Sequence, residues 1–216
     1  MTRFRVDAIV FDFDGVLVES VDVKTRAFAD LYRPFGDHVV AQVVAHHLAH
    51  GGISRFEKFR HYHRNYLHRE LTQEEEARLG ERFSELVEEA VVASPLVGGA
   101  REFLNIHGTS LPLFVASGTP DVELNRIVAR RGMAGYFRGV FGSPAQKAGI
   151  LRRILSDHDL SPQRTLMIGD AMTDYDGAQL AKVKFLGRVA AGEANPFPPG
   201  TPVIGDLVQL ADFLCE

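Results

Sequence analysis

The run Ala8-Ile9-Val10-Phe11, followed by Asp12-Phe13-Asp14-Gly15, constrains this chain more than any other stretch. Such an apolar run with β-branched residues reads as a strand buried on both faces, the kind found in a parallel sheet. The run stops at Asp12, and Asp14 follows two places on. A buried strand that ends in carboxylates carries them to its carboxyl edge, where open α/β sheets bind ligands. Residues i and i+2 of an extended chain share a face, so Asp12 and Asp14 can converge on one point. Two close carboxylates repel unless a cation or a shared proton compensates them. Gly15 permits the tight turn that follows. Alone, the pattern also fits plain turn and cap residues, and the rest of the chain decides.

After Leu17 the periodicity becomes helical. Val23, Ala27, Phe28 and Leu31 predict a helix over 20–31, and further helices are expected over 38–47, 55–66 and 72–93. Thr72 with Glu75 three residues later is a capping-box signature. From residue 100 onward, helices (100–107, 121–131, 147–158, 174–181, 206–214) alternate with short apolar runs (111–116, 139–141, 165–168, 184–188, 201–204). That alternation predicts a doubly wound parallel sheet of the α/β class, Rossmann-like, which the first strand joins across an all-helical insertion. The expected division is a core of 1–17 with 95–216 and a helical domain of 18–94.

At 216 residues and a net charge of -4, the chain can bury a sizeable core and carries no broad cationic field. Nucleic acid and membrane surfaces are therefore not expected as partners. No apolar run has the length of a membrane span. Met1–Arg5 leads into a short strand, not a signal segment. The single Cys215 cannot form an internal disulfide, which fits a reducing cytoplasm. Monomer and homodimer remain open.

Several of the expected strands end in polar residues: Asp12 with Asp14, Ser117 with Gly118, and Asp170. Lys147 opens a helix after another strand. This set suits phosphoryl transfer. A carboxylate can attack phosphorus, and a second can protonate the leaving oxygen and then activate water. Ser117 and Lys147 can donate to phosphate oxygens. Asp12, Asp170 and an oxygen at Asp14 can hold Mg²⁺, a hard cation that takes oxygen ligands. Without a cation, each pair of like charges at 4 Å opposes the reaction by about 4 kcal/mol at an effective dielectric near 20.

The ordered set Asp12-Phe13-Asp14-Gly15-Val16, Ser117, Lys147 and Gly169-Asp170-Ala171-Met172-Thr173-Asp174 resembles the haloacid dehalogenase superfamily, over nearly the whole chain. The resemblance implies the haloacid dehalogenase fold with a helical cap, and a phosphatase acting on a small phosphorylated metabolite such as phosphoglycolate or a sugar phosphate. It implies Asp12 as nucleophile, Asp14 as general acid/base, and Ser117 and Lys147 on the phosphoryl group. Mg²⁺ would lie on Asp12, Asp14 and Asp170, with Asp174 in support; by its own position Asp174 also reads as a helix N-cap. The third motif departs from the common Lys-Pro: Ala148 follows Lys147, and Pro144 precedes it.

Gly52-Ile53-Ser54-Arg55 is similar to a cap loop of β-phosphoglucomutase relatives, in which the arginine meets a substrate phosphate. Arg55 is thus a candidate substrate contact, with a solvated helix-start arginine as the alternative. Lys24 stands where those relatives carry a histidine, which argues against a phosphomutase and makes Lys24 a second candidate contact. His46, His47, His50, His61, His63 and His68 crowd the insertion. A histidine pair four apart can ligate zinc, yet no further ligand has a recognisable spacing, so a polar or substrate-lining face is expected instead. Dehalogenation of a 2-halo acid would leave Asp14 idle, and the complete carboxylate set argues against a non-catalytic binding protein.

Overall fold

The structure is a computed structural model that describes residues 3–215, with Cys215 described in its backbone alone. The reading of the Cys215 thiol and of Met1 and Thr2 therefore lies outside the described residues. Strand β1 (Phe4–Arg5) precedes β2 (Ala8–Phe11), all of whose residues are buried. Then come α1 (Val21–Tyr32), α2 (Asp37–Ala49), α3 (Arg55–Asn65) and α4 (Gln73–Ala93), with no named strand among the described residues between β2 and α4. The remainder alternates: α5 (Ala100–His107), β3 (Leu113–Pro120), α6 (Asp121–Arg130), β4 (Gly139–Ser143), α7 (Lys147–Asp157), β5 (Thr165–Gly169), α8 (Met172–Ala181), β6 (Lys184–Arg188), β7 (Val203–Ile204), α9 (Leu210–Phe213) and β8 (Leu214–Cys215).

The main sheet is parallel with the order β4-β3-β2-β5-β6-β7. The chain leaves β2, builds outward through β3 and β4, then crosses back to β5 and builds the other way. The order reverses beside β2, and such a switch point opens a crevice at the carboxyl ends of the strands. In register, Phe11 lies level with Val115 and Ile168. Asp12, Ser117 and Asp170 follow those residues at one rim.

Alternation along each strand sends Ile9, Phe11, Leu113, Val115 and Ile168 to one face, and Ala8, Val10, Phe114, Ala116 and Met167 to the other. The second face packs on Ile150, Leu151 and Ile154 of α7 and Ala178 of α8. Cover on both sides is why the strands read as continuous apolar runs. The first face continues into an aromatic cluster of the helical insertion, where Phe28 packs on Phe83 at 4.5 Å and edge-on to Tyr62 at 5.8 Å. Burial of each such side chain contributes about 1.5–3 kcal/mol. The capping box of α4 is formed, with Thr72 Oγ1 accepting from Glu75 N–H at 3.2 Å and Glu75 accepting from Thr72 N–H at 3.0 Å.

Three boundaries correct the sequence reading. The expected helix 206–214 is a 3-10 turn (Leu207–Gln209), the four-residue α9 and strand β8, which pairs with β1. The helical spacing of Leu207, Leu210 and Phe213 is real, but Phe213 stacks on Phe4, and the chain then extends to meet β1. Strand β3 runs on to Pro120, because its tail still pairs with Ser143 across a register shift. Helix α8 starts at Met172, two residues early, so Asp174 occupies its third position and not its N-cap. Among the described residues, no helix is long and apolar enough to cross a membrane.

Candidate active site

Asp12 stands one residue beyond β2, seated by its N–H on Ile168 O at 2.9 Å. Its Oδ1 accepts from Phe13 N–H at 2.7 Å. Lys147, the first residue of α7, is buried and donates to Ala116 O at 2.6 Å. The same ammonium lies 2.9 Å from Asp12 Oδ1 and 2.6 Å from Asp174 Oδ1. Its well-aligned bond goes to the carbonyl, and Asp174 Oδ1 is left buried without a directed hydrogen bond. Asp174 Oδ2 accepts from Ala171 N–H at 3.2 Å. Asp170, just past β5, packs over Gly15, where a Cβ would stand 2.1 Å from Asp170 Oδ2. Gly15 also has φ +75°, so both its backbone and the space require glycine. Oxygens of Asp12, Asp170 and Asp174 lie within 4.8 Å of one another.

Burial, and then the Asp174 carboxylate, push Asp12 up to about 7 against the partial offset of Lys147. Asp170 is held well above the usual carboxylate range by burial and by Asp12 and Asp174. Burial works against the Lys147 charge, but Asp12 and Asp174 outweigh it and hold the ammonium above its ordinary value. Four carboxylates of the rim thus face two ammonium groups, Lys147 and Lys24. A divalent cation would balance the remainder, and an all-oxygen donor set suits a hard ion.

Asp14 lies outside that trio. Its Oδ1 accepts from Ser20 Oγ at 2.6 Å and its Oδ2 from Thr119 Oγ1 at 3.1 Å. The Lys24 ammonium pairs with Oδ2 and donates to Thr119 Oγ1 at 2.7 Å. Burial raises the Asp14 carboxyl, but Lys24 and the two hydroxyls outweigh it and hold it below the usual range. Ser117 is buried and accepts from Thr119 N–H at 3.1 Å, which leaves its own hydroxyl proton for another acceptor. At Gly118 a Cβ would stand 2.4 Å from Gly52 O, so the glycine loop of the insertion lies directly on the rim.

A cavity of about 540 Å³ opens at this rim, lined by Asp12, Asp14, Ser117 and Asp170 on the sheet side and Lys24 and Lys58 on the helical side. Arg55 also lines it, and its guanidinium is committed to Glu123 of α6, at 2.5 Å and 3.0 Å, and to Ser84 at 3.0 Å. With 5% exposure it is not the solvated arginine that a helix start suggests. His46 stacks between His50 and His61, with ring centroids at 4.0 and 4.1 Å. Among the described residues, the one cluster with metal-ligating geometry is the aspartate trio. His47 and Lys58 form a buried pair, Nδ1 to Nζ at 2.8 Å.

The sequence pattern of the haloacid dehalogenase-like hydrolases matches residues 6–182. This chain belongs to that family. The hydrolase is similar to the phosphoglycolate phosphatase of Vibrio vulnificus (strain YJ016), 24% identical over an alignment of 224 residues covering 99% of this chain and 98% of the relative. It is also similar to that of Photobacterium profundum, 28% identical over 228 residues with the same coverage. Its fold matches CbbY from Rhodobacter sphaeroides in complex with phosphate (TM-score 0.73, 17% identity, 95% of this chain and 96% of that one). CbbY in complex with xylulose-(1,5)bisphosphate gives a TM-score of 0.76 at 16% identity, covering 97% of this chain and all (100%) of that one. Enzymes of this family generally use a divalent metal.

Four residues of the hydrolase's site escaped the sequence reading: Ser20 and Thr119 on Asp14, Glu123 on Arg55, and Lys58. Thr119 sits two residues after Ser117, and the share-a-face rule applied to Asp12 and Asp14 would have found it. Ser20 opens the first expected helix and directly precedes the observed one, a place where a hydroxyl reads as a cap. Glu123 and Lys58 lie within charged helical stretches, where nothing in the spacing marks a buried charge.

Proposed function

We propose that this hydrolase is a Mg²⁺-dependent phosphatase of small phosphorylated metabolites, working through an aspartyl-phosphate on Asp12. The observation that carries the reading is the meeting of Asp12, Asp170 and Asp174 within 4.8 Å, with Lys147 among them, beside a cavity that Asp12 and Asp170 line. In the first step an Asp12 oxygen attacks phosphorus, the ester P–O bond breaks, and Asp14 protonates the departing oxygen. In the second, Asp14 takes a proton from water, which attacks phosphorus and releases inorganic phosphate and free Asp12. The Ser117 hydroxyl, the Gly118 backbone and Lys147 hold the transferring oxygens. Asp12, Asp170 and Asp174, together with an oxygen at Asp14, would hold Mg²⁺. A bound Mg²⁺ supplies positive charge to both nucleophile and phosphoryl group. As held here by Lys24, Asp14 rests ionised; it takes up a proton from solvent before the first step, gives it to the departing oxygen, and regains one from water in the second.

Residues 18–94 act as the cap and 1–17 with 95–216 as the core. The contact of Gly52 with Gly118, and the bond from Thr173 Oγ1 to Gly51 O at 2.9 Å, support a cap that shuts on the rim and excludes water. The names of the relatives support a phosphoglycolate- or sugar-phosphate-like substrate. The test is phosphate release from a panel of phosphorylated metabolites with Mg²⁺ and with EDTA, beside Asp12→Asn. Release that needs the metal and vanishes in a folded Asp12→Asn is expected. Substantial turnover by that variant rejects the assignment.

A further inference from the structure

The cations of the cavity are not alike. Lys24 is matched by Asp14, Arg55 by Glu123, and Arg188 by Glu19 at 2.6 Å. Lys58, one turn after Arg55 on α3, lines the same cavity and is 2% exposed. It meets no carboxylate among the described residues. Its ammonium contacts His47 alone: Nδ1 at 2.8 Å and the backbone carbonyl at 3.4 Å. An ammonium carries three donors, so one at least is unused. The ammonium lies over the Phe28 ring, 5.6 Å from its centroid, and His47 packs on the same ring at 4.7 Å. A buried charge without a counter-charge is costly unless a ligand completes it.

We propose that Lys58, positioned by His47, binds a second anionic group of the substrate, remote from the phosphoryl group that Asp12 attacks. The near end of that substrate rests on the phosphatase reading above; the remote end rests on the helical wall. Arg55 is a poor choice there as it stands, since both terminal nitrogens of its guanidinium are bound to Glu123 and its charge is already matched. His47 is suited to its part. Burial, followed by the Lys58 charge, pulls it down to about 3, so its ring stays neutral and Nδ1 can accept from the ammonium. Burial and the nearby Lys24 pull Lys58 itself down to about 7, and an anion laid against it would reverse that. The shared chemistry is a compact anion, a carboxylate or a phosphate, and separate probes distinguish them.

The experiment compares wild type with Lys58→Met, which keeps the stem and removes the charge, and Lys58→Arg, which keeps a cation. The probes are 2-phosphoglycolate, fructose 1,6-bisphosphate and p-nitrophenyl phosphate, which has no second anionic group. In Lys58→Met the kcat/KM ratio of at least one doubly anionic probe over p-nitrophenyl phosphate should fall tenfold or more, mainly through KM. Lys58→Arg should recover most of it. A ratio within twofold of wild type for both probes, or an equal kcat loss on all three, overturns the proposal. A second readout needs no turnover: the rise in Tm with each doubly anionic probe over that with inorganic phosphate at equal concentration. That excess should be present in wild type and absent in Lys58→Met; its absence from wild type also overturns the proposal. No hydrolysis by wild type, with the excess lost in Lys58→Met, would reject the phosphatase reading and keep this one. Hydrolysis with unchanged selectivity would do the reverse.

Discussion

On the sheet side of the cavity, Asp12, Asp14, Asp170 and Asp174 face Lys147 and Lys24. On the helical side, Lys58 and Arg55 stand against the rings of Phe28, His47 and Phe83, and Glu123 is the carboxylate that reaches Arg55 but not Lys58. One wall has an excess of negative charge and the other an excess of positive. The sheet side is built by backbone: strand ends in register bring distant residues to one rim whatever their neighbours do. The helical side is built by packing, and its charges stay in place only because aromatic rings and specific partners hold them. A substrate with anionic character at both ends would be met by a metal on the first wall and by protein cations on the second.

The largest expected effect belongs to the sheet side. Asp14→Asn keeps the hydrogen-bond acceptor for Ser20 and removes the group proposed to transfer the proton. Phosphate release should fall about 10²–10⁴-fold, the usual contribution of a positioned acid or base, with circular dichroism unchanged. A loss below tenfold would mean that another group moves the proton and that the carboxylate excess is merely structural.

On the helical side the comparable substitution should cost stability instead. Glu123→Gln leaves Arg55, 5% exposed, without its counter-charge. Removal of one partner of a buried pair typically costs about 3–5 kcal/mol, read as a drop in the urea midpoint. The double replacement Arg55→Met with Glu123→Leu should recover much of that loss, because no buried charge is then left alone. If Glu123→Gln unfolds at the wild-type midpoint, the contact is not a structural tie, and Arg55 returns as a candidate for substrate.

That asymmetry also explains what could be read from the residues alone. Ala8–Phe11 and 111–116 announced themselves as strands because parallel sheets bury both faces, although the second begins only at Leu113, and their polar ends gave Asp12, Asp14 and Ser117. Lys147 and Asp174 were legible as members of the set, but their direct contact was not, since it depends on α7 and α8 crossing at one level. Arg55 was legible as a residue of interest and illegible in its partner: Glu123 is 68 positions away, on a helix of the other part of the chain. Lys58 looked like any helical lysine, because only the packing of Phe28 and His47 buries it. The C-terminal segment was misread for a related reason, as its buried Leu207, Leu210 and Phe213 keep a helical period while β1 draws the chain into a strand.

Metal loading tests the excess charge of the sheet side at intermediate size. Asp12 is raised to about 7, first by burial and then by Asp174. A carboxyl raised above its unfolded value binds more protons in the native state, so the metal-free protein should lose stability as pH rises from about 4 to 7. Above that window the uncompensated charge is fully present, and Mg²⁺ should restore stability, by about 2.7 kcal/mol at a hundredfold excess over Kd. The measurement is Tm with Mg²⁺ against EDTA at pH 5.5 and pH 8. The gain should be larger at pH 8, where protons no longer compete for the aspartates. An equal gain at both would place the ion elsewhere.

The smallest effect concerns Lys24, the residue that blurs the comparison: its backbone belongs to α1 on the helical side, and its ammonium is bound to Asp14 and Thr119 on the sheet side. It opposes the burial that would otherwise raise the Asp14 carboxyl. Without that ammonium the Asp14 carboxyl moves upward, and the pH at which it becomes a usable base moves with it. Lys24→Met should therefore shift the acidic limb of the kcat–pH profile to higher pH, with a modest change in the plateau. Were Lys24 a substrate contact alone, KM would rise and the limb would stay where it is. The shift assigns Lys24 to the proton-transfer machinery of the sheet side; a KM effect without it assigns the residue to the wall where Lys58 stands.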